Sequence, residues 1–173
     1  DADPHVVVTP GSARLPISMI ERYQRITRAL GCADAGLELD LPLDPQAHER
    51  VAKRLALAGV GEAEPLVVVT PGASFGASKL WPPGHFAAAC DGLRAAHGLR
   101  AVLAPGPGEE AVAHAIADRA RAAPLVLDAP VTTLPELAAL IARSRLVLTN
   151  DTGPRHMAVA LGTPVIALLG PTD

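Results

Sequence analysis

Aromatic side chains are scarce: one Trp, one Tyr and two Phe in 173 residues, 2% of the chain. Surfaces that bind nucleic acid want stacking rings beside a basic face. Here the 15 Lys and Arg residues are scattered under a net charge of −3, so no nucleic-acid partner is expected. Cysteine is equally sparse. Cys32 and Cys90 lie far apart with no C-x-x-C spacing, which argues for two buried free thiols in a reducing compartment and against a disulfide framework. The six His residues form no H-E-x-x-H or paired ligand spacing, so no protein-bound metal is expected. No apolar run approaches the ~18 residues a transmembrane helix needs, and no basic stretch leads into an apolar one as a secretory signal would. The chain opens on Asp1 rather than Met, as an excerpt of a longer protein would. What remains is 49% hydrophobic residues and a mean hydropathy of +0.27, enough for one compact domain carrying an appended segment.

From Pro65 onward the pattern is regular. Apolar runs at Leu66 to Thr70, Ala101 to Ala104, Leu125 to Leu127, Leu146 to Thr149 and Val165 to Leu169 read as strands. Between them lie helical patterns over His85 to His97, Glu109 to Arg121, Leu134 to Ala142 and Arg155 to Leu161. Gly98 is a helix stop, and Thr133 with Glu136 forms a capping box. Continuous apolar strands alternating with helices predict a Rossmann-like α/β fold, a parallel sheet with helices on both faces. Residues 1–64 lack such a repeat. Val6 to Val8 suggests a strand, and Pro16 to Leu30 and Pro45 to Leu57 suggest helices. The expected division is therefore a connecting segment, 1–64, and a domain, 65–173.

Ligands of such sheets bind outside the carboxyl ends of the strands, where four turns fall. The most informative is Asn150-Asp151-Thr152-Gly153-Pro154-Arg155-His156. A strand stops at a polar turn and a proline opens a helix, which aims free N–H groups and a positive dipole end at the space beyond. A phosphate suits that place, with N–H groups of Thr152, Gly153, Arg155 and His156 as donors. Asp151 would repel a phosphate it faced, so sugar hydroxyls suit it better. The turn from Pro71 to Pro82 contains small residues that admit a ligand, the Ser74 hydroxyl and the mobile charge of Lys79. Read alone, Lys79 fits an exposed loop as well as a ligand contact. The turn Gly106-Pro107-Gly108-Glu109-Glu110-Ala111 is formally G-x-G-x-x-A, with Asp128 near the end of the next strand, as a dinucleotide site asks. Two carboxylates at a helix start repel a pyrophosphate, however, and Pro107 removes a donor. Ribose hydroxyls, or simple complementation of the dipole, account better for Glu109 and Glu110. Thr132 and Thr133, in the fourth turn, are helix-entry residues whose backbone can face a base.

Together these segments resemble the ADP-heptose:lipopolysaccharide heptosyltransferase family (glycosyltransferase family 9), and within it the heptosyltransferase II branch. The resemblance rests on Pro71-Gly72-Ala73-Ser74-Phe75-Gly76 with Lys79 and Trp81-Pro82, on Asn150-Asp151-Thr152-Gly153 with His156, and on Gly170-Pro171-Thr172-Asp173. Pro16 to Tyr23 is similar to the family's interdomain helix. The resemblance implies the C-terminal, donor-binding half of a GT-B glycosyltransferase that inverts its donor sugar without a metal or other cofactor. It implies that Thr152, Gly153 and His156 hold the diphosphate and that Lys79 stabilises the departing ADP. It further implies Asp151 on sugar hydroxyls, Glu109 on the ribose, Ser74 on a phosphate oxygen and Thr132 near adenine. The implied partners are ADP-heptose or a related nucleotide sugar, and a lipopolysaccharide core acceptor held by an N-terminal domain that this chain lacks, together with its aspartate general base. The implied location is the bacterial cytoplasm, with peripheral attachment to the inner membrane an option. The chain also stops before the family's remaining C-terminal helices, so the fragment is expected to bind donor without turnover. Arg155 departs from the resemblance, standing where the family usually carries an uncharged residue, and an added phosphate contact is expected of it. Two rivals stay open: an NAD-type oxidoreductase domain using Gly106, Gly108 and Asp128, and a glycosyltransferase-like interaction domain without catalysis.

Overall fold

The structure is a computed structural model and describes residues 19–72 and 80–169. It forms two compact units, Asp1–Leu39 and Asp40–Asp173. The described part of the first unit is helix α1 (Met19–Ala29) and the turn after it. Within α1, Arg25 pairs with Glu21 one turn earlier at 3.0 Å, the spacing at which helical charges meet. Gly31, at φ +81, takes the chain off the helix, and Arg28 reaches Asp34 beyond it. The expected strand at Val6 to Val8 and the first residues of the Pro16 to Leu30 helix lie outside the described residues.

The second unit contains α2 (Pro45–Leu57), β1 (Leu66–Thr70), α3 (Pro83–His97), β2 (Arg100–Leu103), α4 (Glu110–Ala117), β3 (Leu125–Val126), α5 (Leu134–Arg143), β4 (Leu146–Asn150), α6 (Gly153–Ala160) and β5 (Val165–Leu168). The five strands form one parallel sheet in the order β3-β2-β1-β4-β5. Central strand β1 is buried along its whole length, so both of its faces must be apolar. Alternate residues face opposite sides: Leu66 and Val68 join a core with Val51, Leu55, Leu140 and Ile141. Val67 and Val69 join another with Phe86, Cys90, Leu103 and Ile116. The Rossmann-like α/β sandwich read from the sequence is the fold observed.

Helix α2 moves the division of the chain. Asp44 caps its start by accepting the Gln46 N–H at 2.9 Å. Ala47, Val51 and Leu55, spaced four apart, line one buried stripe that packs on α5. The compact unit therefore begins at Asp40, ahead of the boundary expected at Pro65. Helix α5 starts at the expected capping box, with the Thr133 N–H donating to Glu136 at 2.9 Å. Helix α4 is shorter than the expected Glu109 to Arg121. Asp91 of α3 accepts the Ala122 N–H at 2.8 Å and pairs with Arg121, drawing that backbone off the helical path just ahead of Pro124, whose ring disfavours helix in the preceding residue. The thiols also differ from expectation. Cys90 is buried, which pushes its pKa up to about 11, whereas Cys32 is exposed.

Candidate functional site

From β1 the sheet extends through β2 and β3 on one side and through β4 and β5 on the other. The connections diverge between β1 and β4, and the crevice at their carboxyl ends is where such sheets bind ligands. The turns after β1 and β4 form it, and the turn after β2 flanks it.

The turn after β4 is built to leave a helix end open. Thr152 is the N-cap of α6 with extended backbone, yet its hydroxyl makes no capping bond. It lies 3.3 Å from the Thr149 hydroxyl and donates to the Asn150 carbonyl at 3.3 Å. Thr149 in turn accepts from the Thr70 hydroxyl of β1 at 2.6 Å. Gly153 is the first helical residue and Pro154 the second, one place later than the sequence suggests. The Arg155 N–H consequently donates back to the Thr152 carbonyl at 3.1 Å. That removes Arg155 from the four expected backbone donors. The N–H groups of Thr152 and Gly153 have no acceptor among the described residues, and they stand at the positive end of the helix dipole.

Side chains of the same turn are close together. Asp151 and Arg155, one helical turn apart, pair at 2.7 Å. The Arg155 guanidinium also lies 3.4 Å from Nε2 of His156, an exposed side chain in the first turn of α6. The Asp151 charge thus faces a cation beside the open helix end.

In the turn after β2, Glu109 folds its carboxylate back to accept the Gly106 N–H at 2.8 Å. The same carboxylate lies over Gly72 of the β1 turn: a Cβ at Gly72 would fall 1.7 Å from Glu109 Cδ. Glycine at 72 is what admits it. A carboxylate therefore already holds the N–H that a dinucleotide pyrophosphate would need at Gly106. Asp128, the acidic residue of that rival pattern, is engaged by His114 at 2.5 Å. Both observations weigh against the dinucleotide site.

Asn150, the last residue of β4, is wholly buried. Its Nδ2 donates to the carbonyls of Pro71 at 2.7 Å and Gly72 at 3.2 Å. Two acceptors require the amide nitrogen on that side, which fixes the carboxamide orientation. Among the described residues Oδ1 then has no partner in its buried position, an arrangement that costs about 1–3 kcal/mol. Sequence reading placed Asn150 in the motif but gave it no role of its own, although a polar residue ending an apolar strand was a visible signal. It also passed over Thr70 and Thr149, whose contact depends on strand order.

Of the sequence-derived residues, Asp151, Thr152, Gly153, Arg155 and His156 come together in one turn, and Glu109 reaches the neighbouring β1 turn. Thr132 lies half-buried in the turn after β3, two strands from β1. Ser74 and Lys79 lie outside the described residues.

The model of glycosyltransferase family 9 (heptosyltransferase) matches residues 12–173. The chain belongs to glycosyltransferase family 9. It is 31% identical to lipopolysaccharide heptosyltransferase 3 of Escherichia coli over 90% of this chain and 45% of that protein. It is 35% identical to lipooligosaccharide heptosyltransferase 2 of Haemophilus influenzae over 72% of this chain and 36% of that one. An E. coli heptosyltransferase solved with ADP-2-deoxy-2-fluoro heptose superposes with a TM-score of 0.59 at 27% identity, covering 88% of this chain and 45% of that one. The chain thus spans less than half the length of these family 9 relatives. The sheet is a Rossmann-like half of their GT-B arrangement.

Proposed function

We propose that this chain is the donor-binding, C-terminal half of a heptosyltransferase that takes ADP-heptose and passes its heptose, with inversion, to the inner core of lipopolysaccharide. The carrying observation is the uncapped start of α6 at the β1–β4 crevice in a chain of this family. The Thr152 and Gly153 N–H groups, with His156, hold the diphosphate, and Arg155 adds a cation to it. From the family resemblance, Ser74 takes a phosphate oxygen and Lys79 offsets the charge that builds on ADP as the bond to the anomeric carbon breaks. Asp151 takes sugar hydroxyls, Glu109 the ribose, and Thr132 lies toward adenine. In this reading the acceptor hydroxyl loses its proton to an aspartate of a preceding domain and attacks the anomeric carbon from the opposite face. No metal takes part. Among the described residues no helix is long and apolar enough to cross a membrane; the family resemblance places the enzyme in the bacterial cytoplasm, with peripheral attachment to the inner membrane an option.

Calorimetric titration of the 173-residue chain with ADP, ADP-heptose and NAD tests this. ADP and ADP-heptose are expected to bind, with NAD weaker. Preferential NAD binding that is lost in Gly108→Ala would overturn the proposal in favour of an oxidoreductase domain. A folded chain silent toward all three would overturn it in favour of an interaction domain.

A further inference from the structure

We infer that Asn150 is a positioning residue, whose carboxamide ties the turn after β1 to the turn after β4 and so sets the spacing of the loops that hold the diphosphate. This rests on the donor-site reading above. The register between β1 and β4 ends at Thr70↔Thr149, and beyond that pair no ladder holds the strands at a common distance. One residue further, Asn150 Nδ2 donates to two consecutive carbonyls, Pro71 at 2.7 Å and Gly72 at 3.2 Å. Only an –NH₂ group offers two donors from so short a side chain. On its other side Asn150 is in register with Leu168 of β5, so the clamp is anchored to the sheet. Directly beneath it the Thr70 and Thr149 hydroxyls meet at 2.6 Å, and Thr149 also lies 3.3 Å from the Thr152 hydroxyl. The same contacts that fix the spacing keep Thr152 turned away from its helix, leaving the N–H groups open. Among the described residues buried Oδ1 has no partner, so the carboxamide is retained at a cost to the fold, as positioning groups at functional sites often are.

The test uses the full chain, ADP and adenosine in calorimetry, and thermal unfolding in parallel. Asn150→Leu keeps the shape and removes the donor. Its Pro71 and Gly72 carbonyls regain partners only by moving the turn into water. ADP affinity is expected to fall about ten-fold while adenosine affinity stays within about two-fold, because misplacement affects the group that spans both loops. Equal loss for both ligands, or unchanged ADP binding, would overturn the clamp. Should Asn150→Leu not fold, Asn150→Ser carries the test: a short side chain with a single donor cannot hold both carbonyls, so ADP binding weakens while adenosine binding holds. Wild-type ADP affinity in Asn150→Ser would refute the clamp alone. A wild-type chain that binds no ADP defeats the donor-site reading, and the clamp falls with it.

Discussion

Glu136 joins the cap of α5 to the charges of α2, and its loss should be felt by the whole second unit. It is 7% exposed. Its carboxylate accepts the Thr133 N–H at 2.9 Å, the Thr133 hydroxyl at 3.0 Å and Arg50 Nε at 3.0 Å. Arg54 Nη1, buried and without a hydrogen-bond partner among the described residues, has this carboxylate 3.9 Å away. Glu136→Gln keeps the volume and one oxygen for the cap but removes the charge. Charged hydrogen bonds exceed neutral ones by about 1 kcal/mol each. The Arg50 contribution is roughly halved because that side chain is half exposed. The expected loss is about 2–3 kcal/mol, read as a fall of about 10 °C in Tm. Glu136→Ala also strands Arg54 and should cost about 3–5 kcal/mol. The sign with pH follows from the Thr133 N–H, the main cause holding this carboxyl below its ordinary 4.5. A depressed folded pKa stabilises above the unfolded pKa, and that stability is lost as pH falls through the folded one. Urea unfolding of wild type and Glu136→Gln at pH 7 and pH 3 should therefore show a gap at neutral pH that narrows in acid. A gap of equal size at both would refute the charge-based account.

Three further outcomes are expected. Gly72→Ala places a Cβ where Glu109 lies; the flexible carboxylate yields, so Tm moves little, while calorimetry should record ADP binding several-fold weaker (about 1 kcal/mol). Arg155→Ala should weaken ADP binding and flatten its salt dependence, because the phosphate contact proposed for it is lost along with its pairing to Asp151; unchanged affinity and salt slope would count against any phosphate role for Arg155. Cys32 should be alkylated at neutral pH while Cys90, buried and with its pKa pushed up to about 11, reacts only on unfolding; mass spectrometry of the native protein after brief iodoacetamide treatment distinguishes the two.

Local chemistry made much of the fold legible. The strand at Leu66 to Thr70 shows as an unbroken apolar run because helices cover both faces. The Thr133–Glu136 capping box shows because its partners are three residues apart. The same holds for the turn at Asn150 to His156, where strand end, polar turn and proline are contiguous. The burial of α2 was not legible. Its apolar stripe is visible in Ala47, Val51 and Leu55, but the surface it meets belongs to α5, nearly ninety positions away. The end of α4 was misjudged for the same reason, since the carboxylate that draws its backbone aside is Asp91 of α3.

Which turns present polar groups at the sheet's carboxyl edge can be read from the chain alone, because strand and helix periodicity are properties of neighbouring residues. Which turns are adjacent depends on the strand order β3-β2-β1-β4-β5, and pairing between distant strands leaves no local pattern. Tertiary structure alone decided that Glu109 occupies the Gly106 turn and lies over Gly72. It alone decided that Thr152 turns its hydroxyl to Thr149 and leaves its helix open, and that Asn150 binds the turn after β1. Each of these is a hydrogen bond or close approach whose geometry exists only once the chain has folded.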